Sequence, residues 1–237
     1  MPGSLVAAVA DAVNEATGRM QRGNPVLPRT GGPAGNALLT AWTALALLAL
    51  SVAELMTLFD AHGLITWHVA IGALLVPPAL MKTASTGWRM VRYYLGNRPY
   101  QEAGPPPMLL RLLGPLVVVS TLALLGSGVL LVLLGESSAH QNLVSVIGVG
   151  VSWITLHQAS FAVWVVAVGL HLIGRIIPAL RITTGVGISG RVPGTWTRLL
   201  LLVAMAAAAI ALAVVLVRGE GSWVFHGFDF RRAGLDD

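Results

Sequence analysis

Long apolar runs broken by short polar connections set the pattern of this chain. Five of them stand out: Ala37–Phe59, Leu64–Lys82, Met108–Leu134, Trp153–Leu180 and Leu199–Val217. About twenty helical residues cross a hydrocarbon core about 30 Å thick, so each run predicts a membrane-spanning helix. The expected fold is all-α, an integral membrane bundle of five transmembrane helices over residues 36–218. Residues 1–35 are left as an N-terminal segment and linker, and residues 219–237 as a C-terminal tail.

The N-terminal segment has a pattern of its own. Leu5, Val6, Val9, Val13 and Ala16 recur at near-helical spacing, with Asp11, Glu15 and Arg19 elsewhere on the wheel. That spacing fits either a short amphipathic helix lying on the membrane surface or a frayed terminus. The following QRGNPVLPRTGGPAGN reads as a linker rich in Pro and Gly. No small-residue cleavage site follows a short apolar core, so the N-terminus is expected to stay attached.

Composition agrees with the periodicity. The chain is 55% hydrophobic and 11% charged, with a mean hydropathy of +0.77, which excludes an ordinary soluble domain. Its net charge of +5 comes from loop placement and not from a nucleic-acid patch. Lys82, Arg89, Arg92, Arg98 and Arg111 face a lone Glu102 in one connection, and Arg175, Arg181, Arg191 and Arg198 face no acid in another. The turns at 60–63 and 135–152 hold no Lys or Arg. The positive-inside rule then predicts a multi-pass protein of the cytoplasmic membrane with its N-terminus in the cytoplasm and its C-terminal tail outside. Cysteine is absent, which excludes disulfides, thiolate-bound iron–sulfur clusters and covalently attached haem.

Candidate chemistry centres on histidines inside the apolar runs. His157 and His171 lie fourteen residues apart. On an α-helix that is about 21 Å of rise and about 40° short of four turns, so both imidazoles share one face at two depths. An ionisable side chain in hydrocarbon faces protein, water or a cofactor. His68 enters its own run at the depth of His157, so these two can meet across the bundle and bind one metal from opposite sides. Fourteen residues after His68 comes Lys82, the only lysine, preceded by Met81. The inner level thus offers His171 opposite Lys82 or Met81, either as iron ligands or, for Lys82, as the start of the basic cluster meeting lipid phosphate or a propionate. Pro77 and Pro78 intervene and should kink this helix.

Other residues carry two readings each. Gly72, one turn after His68, leaves room for a flat macrocycle or for a neighbouring helix. Arg89, Arg92 and Arg175 suit either inner propionates or the positive-inside pattern. Gly126, Ser127 and Gly128 form a small-residue stretch with no strong ligand. Glu54, about one turn from the outer end of its run, is expected to be solvated or snorkelling, with a proton relay or quinol-site carboxyl as the other reading. His140 reads as solvated, the alanine-rich last run as a packing wall or a subunit interface, and Trp223, Phe225, Phe228 and Phe230 as an interfacial or docking tail.

The stretches WHVAIGALLVPPALMKTASTGWR, RYYLGNRPYQEAGPPPMLLRLLGPLVVVSTLALLGSGVLLVLLG and LHQASFAVWVVAVGLHLIGR together resemble the bacterial membrane cytochrome b proteins. That helical group is itself similar to the haem b subunits of hydrogenases, formate dehydrogenases and molybdenum-cofactor oxidoreductases. The resemblance covers about residues 36–218, and its most specific part is His-x13-His on one helix facing a histidine on another. It implies one or two non-covalent haem b groups with bis-histidine ligation, and electron transfer between a quinone pool and a partner oxidoreductase subunit. Carried over, His68 and His157 match outer-haem ligands and His171 an inner-haem ligand, while Lys82 departs from the pattern where a fourth histidine would stand. Two other function classes fit the same residues: a proton- or metal-linked transporter, and a cofactor-free membrane anchor.

Overall fold

A computed structural model describes residues 5–17, 32–60, 63–102, 108–146, 149–184 and 192–223. Helix α1 covers Leu5–Ala16, and α2 covers Gly32–Thr57 with a 3-10 extension over Leu58–Asp60. Then come α3 over Ile65–Tyr94, the short α4 over Arg98–Glu102, and α5 over Met108–Leu134. After α6 (Glu136–Ala139), β1 (Val144–Val146) pairs antiparallel with β2 (Val149–Val151). Helix α7 spans Trp153–Thr184 and α8 spans Thr195–Gly219. Helices α2, α3, α5, α7 and α8 are each long and apolar enough to cross a membrane, so the fold is a five-helix multi-pass bundle.

Two boundaries differ from the sequence-based expectation. Residues 83–94, expected as part of a connection, belong to α3, because the polar stretch after Lys82 still contains helix formers and contains no glycine pair or proline. The helix runs on through Pro77 and Pro78 and stops only at Gly96. There the amide of Gly96 bonds the carbonyl of Tyr93 (3.2 Å) and that of Asn97 bonds the carbonyl of Arg92 (3.1 Å). This is a Schellman closure that needs the left-handed φ of 78° at Gly96. The second difference is the small β-hairpin in the 135–152 connection, which apolar periodicity does not announce.

The helix order in space follows the order in sequence. α2 packs on α3, α3 on α5, α5 on α7, and α7 back on α2, while α8 docks on the outside of α3. Consecutive helices are antiparallel, as their cross-links show. Asn36 donates to the Ser85 carbonyl (3.0 Å) and Thr40 shares a 2.6 Å hydrogen bond with Ser85 at one end of the α2–α3 pair, whereas Thr57 meets His68 at the other. In the α5–α7 pair Ser127 meets His157 and the Trp164 indole donates to Thr121 (3.1 Å). The outcome is an up-down four-helix ring in which α3 and α7 are parallel and diagonally opposed. We call the end carrying β1 and β2 the hairpin end, and the opposite one the basic end.

Small side chains line the helix contacts. Ala34, Ala37, Ala41, Ala73, Ala79, Ala167, Ala209 and Ala213 are buried, together with Thr43, Ser85, Ser120, Ser127 and Ser160. Large apolar residues such as Val119, Val166, Leu170, Ile173, Leu200 and Val215 point outward. In lipid, burial of apolar surface gives no preference for the inside, and close backbone approach through small residues provides the packing energy. The contact of α8 follows this rule: Ala73, Ala213 and Leu216 form its centre, with Val69, Val129, Val132 and Leu212 around it. Trp223, just past α8, donates to the Leu131 carbonyl (3.2 Å) and ties that end to α5. Helix α1 forms where its spacing predicts and packs on α5 and α7. His62, Arg191, His226 and the aromatic residues 225, 228 and 230 lie outside the described residues.

Candidate functional site

The first turns of α3 and α7 lie at the hairpin end, on opposite sides of the ring, each bringing one histidine. The His68 and His157 rings have centroids 6.4 Å apart and planes at 86°. Both are half-buried. They belong to diagonally opposed helices, so they meet across the interior and not along a helix–helix seam.

Each ring is anchored by a hydroxyl of a different neighbouring helix. Thr57 Oγ1 on α2 lies 2.9 Å from His68 Nδ1 and donates its own proton to the Glu54 carbonyl (2.6 Å). Ser127 Oγ on α5 lies 3.0 Å from His157 Nδ1 and donates to the Leu124 carbonyl (3.0 Å). Where each hydroxyl gives its proton to the carbonyl of its own helix, it accepts from the ring, and the imidazole proton is on Nδ1. The lone pair is then on Nε2 in both. Among the described residues neither Nε2 has a hydrogen-bond partner, which is the state a metal-ligating histidine requires.

Glu54 is not at the surface. Its side chain is 17% exposed and its Oε1 lies 3.1 Å from His68 Nδ1, while Oε2 is buried without a partner. The expectation of a solvated or snorkelling carboxylate is corrected, because the last turn of α2 rotates Glu54 toward α3. Gly72 makes room for it: a Cβ at Gly72 would come within 3.2 Å of Glu54 Oε1. The space at Gly72 thus receives a carboxylate from α2. Gly128 performs the corresponding service for His157, whose Cε1 would stand 3.2 Å from a Cβ there. Nothing lies within 4 Å of a Cβ at Gly126.

The basic-end level holds the remaining candidates. His68 and His157 share a level, α3 and α7 run parallel, and Lys82 and His171 each follow by fourteen residues, so these two also share a level. Lys82, His171 and Arg175 form one electrostatic cluster, all half-buried. His171 Nδ1 is buried and has no hydrogen-bond partner. Met81 is half-buried beside Lys82, and Arg89 follows two turns further along α3. Arg92 lies beyond, its guanidinium 5.0 Å from the centre of the Trp88 ring and its Nε buried without a partner. His140 is exposed at the end of α6 and faces no other histidine among the described residues.

Thr57 and Ser127 were not singled out as ligand supports from the sequence, although a signal existed. Each is a lone hydroxyl residue near the hairpin end of an apolar helix, at the depth of the two histidines. No group of three or more His, Cys, Asp or Glu side chains suited to a metal ion occurs among the described residues. Comparison of the chain with family models, with curated proteins and with solved structures finds no match in any of the three.

Proposed function

We propose that this chain is a membrane haem b electron-transfer subunit, passing electrons between a quinone pool and a partner oxidoreductase in the cytoplasmic membrane. One observation carries the proposal: two imidazoles on opposed helices, 6.4 Å apart at one level, each with its Nδ1 against a hydroxyl of a neighbouring helix. The two rings would hold one iron between them.

The donor set fits the same group. A bare ion held by protein alone draws about four ligands, whereas iron in a macrocycle needs only two axial ones. His68 and His157 would hold the haem, which when bound supplies one-electron redox chemistry. The chain's own part is positional. Thr57 and Ser127 hold the ring planes, and Gly128 admits the His157 ring. We assign one haem per chain, since the inner level pairs His171 with Lys82 and not with a second imidazole.

A second reading has its own support. Glu54 and His68 form a buried carboxylate–imidazole contact of the kind that relays protons in transporters. The two are separated by purifying the chain from membranes and recording its visible spectrum and pyridine haemochrome. About one haem per chain with a low-spin bis-imidazole spectrum is expected. A colourless protein in both oxidised and reduced forms, with proton uptake into liposomes, overturns the haem proposal in favour of the transporter.

A further inference from the structure

The two histidines at the hairpin end hold matching places on their helices but differ in what stands behind them. His157 Nδ1 meets one group, the Ser127 hydroxyl at 3.0 Å. His68 Nδ1 meets two, the Thr57 hydroxyl at 2.9 Å and Glu54 Oε1 at 3.1 Å. Both partners of His68 come from the last turn of α2, where a spacing of three residues puts Glu54 and Thr57 on one helix face. A carboxylate only accepts, so the Nδ1 proton of His68 is shared between the two oxygens. Among the described residues no carboxylate forms an ion pair with His157. The imidazole pair is therefore asymmetric by one acid.

The packing around Glu54 is specific to this contact. Its side chain is 17% exposed, and Oε2 is buried without a hydrogen-bond partner, so the His68 ring is the group that offsets the cost of taking the carboxyl out of water. Helix α3 makes the room with glycine at 72, one turn after His68, where a Cβ would stand 3.2 Å from Glu54 Oε1. An alanine there would press on the oxygen that faces the ring.

This second acceptor changes what the ring can do at its other nitrogen. An imidazole whose Nδ1 proton is drawn toward a carboxylate gains anionic character at Nε2, which makes it a stronger donor to a metal. The negative charge beside the ring acts in the same sense, because charges interact more strongly where water is scarce. Both effects favour the more positive, ferric state of an iron on Nε2. They therefore lower its reduction potential.

We propose that Glu54 is a positioning residue that lowers the redox potential of the haem held by His68 and His157, acting through the Nδ1 proton of His68. The inference rests on the haem reading and adds to it an inequality between the two axial ligands. His68 is the stronger donor and His157 the ordinary one. Thr57 holds the plane of the His68 ring, while Glu54 decides how much negative charge reaches Nε2.

The test is a potentiometric titration of the full chain, purified with its haem, at one fixed pH with the visible spectrum as readout. Glu54→Gln keeps the shape and an acceptor oxygen but removes the acid. It should retain the haem and its low-spin spectrum, while the preference for ferric over ferrous iron falls about ten-fold, a rise of about 59 mV for a one-electron couple. Gly72→Ala leaves the acid in place and displaces Oε1, so it should raise the potential in the same direction by a smaller amount. Glu136→Gln removes a carboxylate from α6 at the same end of the bundle and should leave the potential unchanged. Should Glu54→Gln lose its haem, Gly72→Ala decides. Wild-type potentials in the haem-bearing Glu54 and Gly72 variants overturn the proposal, and so does a potential that falls in either. An equal rise in Glu136→Gln overturns it too, since the effect would then belong to the overall charge and not to the His68 contact. A wild-type chain that is colourless in both redox forms overturns the haem reading and this inference with it. The colour of the wild type thus tells the two failures apart.

Discussion

The two levels of the α3–α7 diagonal begin from the same arrangement and end in different chemistry. At the hairpin end the helices present imidazole to imidazole, each ring braced by a hydroxyl from α2 or α5. Fourteen residues deeper they present imidazole to ammonium, with a guanidinium one turn on and His171 Nδ1 unbraced. A braced neutral pair offers two directed lone pairs. An unbraced cationic group offers charge with little direction. The lesson is that the ring's second nitrogen, and not the presence of a histidine, separates a ligand-ready position from one that is not.

Substitutions sharpen this contrast, and the largest effect is expected from the rings themselves. His68→Ala and His157→Ala should each abolish the low-spin bis-imidazole spectrum, while His171→Ala should keep it; visible and near-infrared spectra of the purified variants decide. Equal loss from all three would mean that the levels are chemically alike. Next comes Gly128→Val. A Cβ there would stand 3.2 Å from His157 Cε1, so a branched side chain forces the ring off its position, and haem content should fall several-fold with the helical circular dichroism retained.

Removing the braces should cost less. Thr57→Val and Ser127→Ala leave the ligands but free the rings, and such changes typically weaken metal affinity about ten- to hundred-fold. A competition assay with apomyoglobin reads this directly, and unchanged affinity would remove the hydroxyls from the argument. The smallest effect belongs to the α2–α3 clamp at the basic end. Ser85→Ala removes the 2.6 Å bond to Thr40, for a loss of about 1 kcal/mol in detergent unfolding and no change in the haem spectrum.

Much of this architecture is legible in the chain. Run lengths give five spans, short connections make neighbours antiparallel, and the equal spacing from His68 to Lys82 and from His157 to His171 predicts two levels. Hydropathy says less about faces. The α5, α7 and α8 helices are apolar all round, so no stripe marks the side turned to a partner, and the inward positions are small and not greasy. Glu54 illustrates the limit: one turn from the helix end, sequence alone allows either solvent or interior, and only the rotation of α2 against Gly72 decides.

The sequence by itself determined the class of the protein, the number and order of its helices and the depth of each ionisable group, because length and spacing along a helix are one-dimensional properties. Tertiary structure alone decided that α3 and α7 are diagonal, that His68 and His157 approach to 6.4 Å, and that Thr57 and Ser127 lie against Nδ1 of each ring. Those facts depend on the rotation of each helix about its own axis. In a membrane that rotation is set by the fit of small side chains between neighbours, and not by any pattern a single helix carries.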